Sequence, residues 1–138
     1  MASVLAQVLD RIQQVLLANV PTGTGVWLDR ADAESLAEAP GIDILTRDGG
    51  VTALGDDTDE HQVTVELRIR VRAEPGTPSA EAIHAAVHTP LMRDAALSAL
   101  VESRRLVEYA FDRVEADTTE LVKSVRYRIT YSVPKHLI

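Results

Sequence analysis

The side chains best suited to chemistry fall into four groups. His84 and His88 stand four apart in the run His-Ala-Ala-Val-His. On a helix that spacing puts two imidazoles on one face, where they could hold a metal. The run lacks the glutamate of a zinc-protease helix, and the chain has no cysteine to complete a site. Two solvated histidines are therefore the expectation, with no metal. Asp56, Asp57, Asp59 and Glu60 form an acidic cluster of the hard oxygen ligands that calcium and magnesium prefer. Its spacing lacks the glycine and the distal glutamate of a calcium loop. It reads as a solvated segment able to meet a cationic partner surface. Thr22-Gly23-Thr24-Gly25 is glycine-rich but has no lysine after it, and no Gly-x-Ser-x-Gly run occurs. No nucleophile is found with its base. The chain is read as a non-enzyme, with no catalytic residue and no cofactor expected.

The fourth group is the most informative. Strand candidate 62–72 carries Arg68, Arg70 and Arg72 against Glu66, and strand candidate 121–133 carries Lys123, Arg126 and Arg128. Six basic residues thus face one acidic residue on two segments, while the remainder holds eight basic and twenty acidic. Arginine offers a planar fork of donors that suits carboxylates at interfaces. Two readings follow: a solvated sheet face, or a contact surface for an acidic patch on a neighbouring subunit. The expected interface set is Arg68, Arg70, Arg72, Arg126 and Arg128, with Asp56, Asp57, Asp59 and Glu60 as the opposing charges.

These groups need elements to position them. Val4, Leu5, Val8, Leu9, Ile12, Val15 and Leu16 recur at helical spacing, so residues 2–18 are expected as an amphipathic helix capped by Ser3. Short strands are expected at Gly25–Asp29 and Ile42–Leu45, with a helical turn over Asp32–Ala39. Residues 46–60 contain three glycines beside the acidic cluster and are expected as a long, mobile loop. In His61–Ala73, Val63, Val65, Leu67, Ile69 and Val71 alternate with polar residues, which is the period of a half-buried strand. Thr77 suits the N-cap and Pro78 the first position of a helix expected over 78–88. Pro90 is expected to end that helix, and Leu91–Val101 to form a second helical piece. Residues 104–115 and 121–133 read as a β-hairpin about a tight turn at Asp117-Thr-Thr. The expected fold is one α/β (α+β) domain over residues 1–138. Its single antiparallel or mixed sheet carries two main helices on one face, in the order α-β-β-β-α-β-β.

Composition sets the outer bounds. The chain has 138 residues, 46% hydrophobic and 25% charged, which is ordinary globular usage. Its formal net charge of −7 argues against generic binding to nucleic acid or anionic membranes. Asp10, Arg11, Gln13 and Gln14 interrupt the first apolar stretch, so neither a membrane span nor a secretory signal is expected there. A soluble protein made inside the cell is the expectation.

The order of elements, the run His61-Gln-Val-Thr-Val-Glu-Leu-Arg-Ile-Arg-Val-Arg-Ala73 and the closing Val125-Arg-Tyr-Arg-Ile-Thr-Tyr-Ser-Val133 together resemble the tail terminator (minor tail) proteins of lambda-like long-tailed phages. The resemblance spans nearly the whole chain and is weakest over residues 20–60. It implies an α/β fold and a structural job. Such proteins assemble, typically as a hexameric ring, on the head-proximal end of the tail tube. The ring stops tube polymerisation and gives the head its attachment surface. The implied partners are further copies of the chain, the tail tube protein and a head-completion or connector protein. The implied location is the virion tail, assembled in the host bacterial cytoplasm. The family has no short motif that maps residue by residue, so no individual role is carried over. A head–tail connector of the same particle and a small oligomeric α+β enzyme are the competing readings.

Overall fold

In the computed structural model, residues 2–29, 39–114 and 119–138 are described. The strand expected at 62–72 is the spine of the molecule. It runs over Thr58–Arg72 as β3, and Val63, Val65, Leu67, Ile69 and Val71 are all buried on one face. β5, Glu120–Pro134, alternates buried and half-buried residues over nearly its whole length. The two pair antiparallel from Thr58↔Pro134 to Arg72↔Glu120. β4, Ser103–Val114, pairs antiparallel with the outer side of β5. β2, Gly41–Leu54, pairs antiparallel with β3, and β1, Gly25–Leu28, joins β2 in parallel. The result is one mixed five-stranded sheet in the order β1-β2-β3-β5-β4.

Three helices supply the cover that the apolar face requires. α1 spans Val4–Asn19, and Ser3 caps it by accepting from the Ala6 N–H. It buries Val8, Leu9, Ile12, Val15 and Leu16. α2 spans Thr77–Arg93 and buries Ala80, Ile83, Val87 and Leu91 on one stripe. α3 is the short helix Ala95–Leu100. Asp94 ties these pieces together. It caps α3 through the Leu97 N–H and accepts two hydrogen bonds from Arg11 of α1, at 2.8 and 2.6 Å. Those Arg11 bonds are the main reason its carboxyl is pushed down to about 2.

Four expectations need correction. Residues 46–60 are not a loop. They are the outer arm of the β2–β3 hairpin, which turns at Gly55–Asp57. Pro90 does not end α2, because Leu91 continues the buried stripe one turn beyond Val87 and holds the last turn in place. The N-cap of α2 is Gly76, not Thr77. Gly76 has φ +71°, and a Cβ there would lie 2.5 Å from the Ala73 carbonyl oxygen, so glycine fits the turn for both reasons. Lys123 does not share the polar face with Arg126 and Arg128. It has the parity of Leu121 and Val125, and it lies buried on the helix side. Apart from their last residues, the turns expected over Asp32–Ala39 and at Asp117–Thr119 lie outside the described residues.

Candidate functional site

The face of the sheet away from the helices carries the arginines, and there they are engaged within the chain. Glu66 is the hub. Arg47 Nη2 and Arg68 Nε each donate to its Oε2 at 2.8 Å, and Arg126 Nε donates to Oε1 at 2.9 Å. The strands explain the geometry. Glu66 and Arg126 are cross-strand partners, Arg68 stands two residues on along β3, and Arg47 sits in a β-bulge between Thr46 and Gly49. Glu66 itself is 1% exposed. Burial alone would raise its carboxyl, but the bonds from Arg47, Arg126 and Arg68 outweigh that and hold it below its ordinary value. The same contact raises the Arg126 guanidinium.

Arg70 is buried, and it donates through Nε and Nη2 to the two carboxylate oxygens of Glu120 at 3.1 and 3.2 Å. Its Nη1 stands 3.7 Å from Asp43. Of the five expected interface arginines, three thus have a carboxylate partner within the chain, though Arg47, Arg68 and Arg126 share the one Glu66 carboxylate and that cluster stays net positive. The charge segregation read from the sequence also weakens at the true strand limits, because β3 and β5 include Asp59, Glu60 and Glu120. Arg72 and Arg128 have no carboxylate partner among the described residues. Arg105 of β4 lies directly across from Arg128 and has none either. Like charges placed opposite one another on a sheet are destabilising.

The acidic cluster does not converge. Asp56 and Asp57 sit at the exposed tip of the β2–β3 hairpin. Asp59 is 3.1 Å from the Lys135 ammonium, and Glu60 accepts from Gln62 at 3.3 Å. Glu66 and Asp57 are nine residues apart along the sheet, roughly 30 Å at strand rise. The arginine hub and the acidic tip therefore belong to different ends of one molecule.

Sequence reasoning missed a second polar network, on the helix face. His84 and His88 are not solvated. Both point from α2 at the Tyr127 hydroxyl of β5, at 2.8 and 2.7 Å. Lys123 Nζ lies 2.8 Å from His84 Nδ1 and also contacts Glu81. The donors fix the order of the chain. The ammonium can only donate, so Nδ1 of His84 accepts. Nε2 then carries the proton and donates to the Tyr127 hydroxyl, which also bonds His88 Nδ1. These two bonds of His84 hold only while its ring is neutral. Burial, then the nearby Lys123 charge, pushes His84 down to about 4. Burial raises the Tyr127 hydroxyl. Tyr109 and Phe111 of β4 stand over the Lys123 ammonium at 5.1 and 5.6 Å. The signal for this network was present in the sequence. His84 and His88 share the helix stripe of Ala80, Val87 and Leu91, and Lys123 and Tyr127 share the parity of Val125.

Among the described residues no group of three or more histidine or acidic side chains is placed to hold a metal. No described helix is long and apolar enough to cross a membrane. No protein-family model and no curated protein matches this sequence.

Proposed function

We propose that the chain is a structural protomer that self-associates into a ring, caps the head-proximal end of a phage tail tube and offers the surface to which the head attaches. The single observation that supports this most is the architecture: one mixed sheet with its helices on one face, in the element order on which the resemblance to tail terminators rests. A protomer of a closed ring needs two different patches that meet head to tail. The Glu66 hub ties β2, β3 and β5 together on the open face between them. Assembly in the bacterial cytoplasm and residence in the virion tail belong to the same proposal, as do the tail tube and the head-completion or connector protein as partners.

The test is tube assembly. The tail tube protein of the same genome is polymerised with and without the purified chain and imaged by electron microscopy. Tubes that stop growing and carry a ring at one end support the reading. Tubes of unchanged length with bare ends refute it, and binding to the portal vertex of heads instead would favour a connector.

A further inference from the structure

Among the described residues the two edges of the sheet have no further strand beside them, and they differ in kind. β4 is the edge strand on one side, and its outer backbone has no strand partner among the described residues. On the other side β1 pairs only with Gly41–Ile44 of β2. The outer edge of β2 from Leu45 to Leu54 has no strand partner among the described residues. Open edges present unpaired N–H and C=O groups and invite pairing. These two also carry most of the exposed large apolar side chains. Of the ten such residues among those described, Leu106, Val107, Tyr109, Phe111 and Val114 lie on β4, and Val51 and Leu54 lie on β2.

We infer that the β4 edge of one copy pairs with the β2 edge of the next copy, continuing the sheet from subunit to subunit. Strand direction favours this. β2 runs antiparallel to β3, β3 to β5 and β5 to β4, so β2 and β4 point opposite ways. Copies placed side by side in one orientation therefore bring β4 and β2 together antiparallel, the pairing already used between these four strands. The lengths match. β4 has 12 residues and the open part of β2 has ten, so each edge is roughly 33–40 Å long.

The faces match as well. Leu106, Tyr109 and Phe111 pair with Tyr127, Val125 and Lys123, so they are on the helix side. Val51 and Ala53 pair with His61 and Asp59 and share the parity of Val63, which puts them on the helix side too. A continued sheet brings these apolar residues into one row. On the opposite face, Arg105 and Arg128 approach the tip that bears Asp56 and Asp57, neither of which has an ion-pair partner among the described residues. Glu108 of the same strand reaches Arg126, at 3.7 Å, and not Arg105. This contact deepens the proposed ring and rests on that reading only for the closure of the ring, not for the pairing itself.

The chain has no cysteine, which makes cross-linking clean. Val51→Cys and Tyr109→Cys proteins, each intact in circular dichroism, are mixed at high concentration and treated with a short bismaleimide. Edge pairing gives a covalent dimer that contains one copy of each variant, and the double variant gives a ladder. Homodimers from Tyr109→Cys alone would mean a twofold β4–β4 contact and would overturn the inference. The absence of any cross-linked product would overturn it as well. In sedimentation, Tyr109→Lys with Phe111→Lys should weaken self-association by about tenfold or more, as loss of central interface aromatics does. Unchanged association of this variant counts against the inference. A ladder from a protein that leaves tubes uncapped keeps the edge contact and removes the tail reading. Capped tubes without a ladder do the reverse.

Discussion

The two faces of the sheet hold polar networks built on opposite principles. On the open face Glu66 is ionised, and three guanidiniums that are each about two-fifths exposed close around it. On the helix face Tyr127 is neutral, and two imidazoles and one buried ammonium are joined through it and His84. The first network can draw on water when a partner is lost, because the arginine heads rehydrate. The second cannot, since Tyr127, His84 and Lys123 are all buried. A buried donor left without an acceptor bears its full desolvation cost. The contrast shows that the number of charges in a cluster says little about its sensitivity, whereas access to water says much.

The largest break should come where the open face behaves like the enclosed one. Arg70 is as buried as the core, so Arg70→Ala strands Glu120 and Asp43 without this guanidinium. It should cost about 3–5 kcal/mol in denaturant unfolding. A loss under 1 kcal/mol would mean that water reaches those carboxylates.

Acid should separate the two networks in order. His84 has a folded value of about 4 against its ordinary 6.5. The unfolded chain therefore takes up the proton first, and stability falls as pH drops from about 6.5 toward 4, by up to about 1.4 kcal/mol per pH unit. Glu66 is also lowered from its ordinary 4.5, so its contribution is present above that value and is lost as pH falls further. His84→Gln should flatten the upper window and Glu66→Gln the lower one in melting experiments across pH. A single step shared by both variants would merge the two networks.

Tyr127→Phe removes one oxygen and leaves the His84 N–H and His88 Nδ1 without their shared partner. A cost of about 1–3 kcal/mol is expected, together with a rise in the pH at which His84 titrates in NMR if water enters the gap. Glu66→Ala, by comparison, should cost less than Arg70→Ala although it removes three ionic contacts, about 2 kcal/mol. The smallest effect belongs to Arg128→Ala. It relieves the facing Arg105, so stability should move by less than about 0.5 kcal/mol, upward if at all.

Why some of this was legible in the sequence can be stated strand by strand. β3 and β5 declare themselves because each is long, paired on both sides and buried on one face, so period two persists through every turn of the pleat. β4 was recognised, but its phase was not. Leu106 and Tyr109 are three apart, an odd step that should put them on opposite faces. The bulge at Val107 absorbs one residue and returns Tyr109 and Phe111 to the face of Leu106. The arm of β2 was read as a loop because Gly49, Gly50 and the polar residues around them carry no apolar period. Its strand form comes from the ladder that β3 offers, in the register Gly49↔Val63 to Leu54↔Thr58. The Lys123–His84–Tyr127–His88 chain was overlooked because its members stand far apart in sequence and only the docking of α2 on β5 joins them.

The sequence by itself therefore determined the apolar faces of β3 and β5, the amphipathic helix α1 that helps to cover them and the existence of β4 as a strand. Burial of alternating side chains is a local pattern, and it survives whatever the neighbours do. The tertiary structure alone decided which charges find a partner inside the chain and which do not among the described residues. Glu66 takes Arg47, Arg68 and Arg126, and Glu120 takes Arg70. Arg105 and Arg128 are left facing each other. The physical reason is that an ion pair depends on a few ångströms of separation set by cross-strand register, and register is a property of two segments together, never of one.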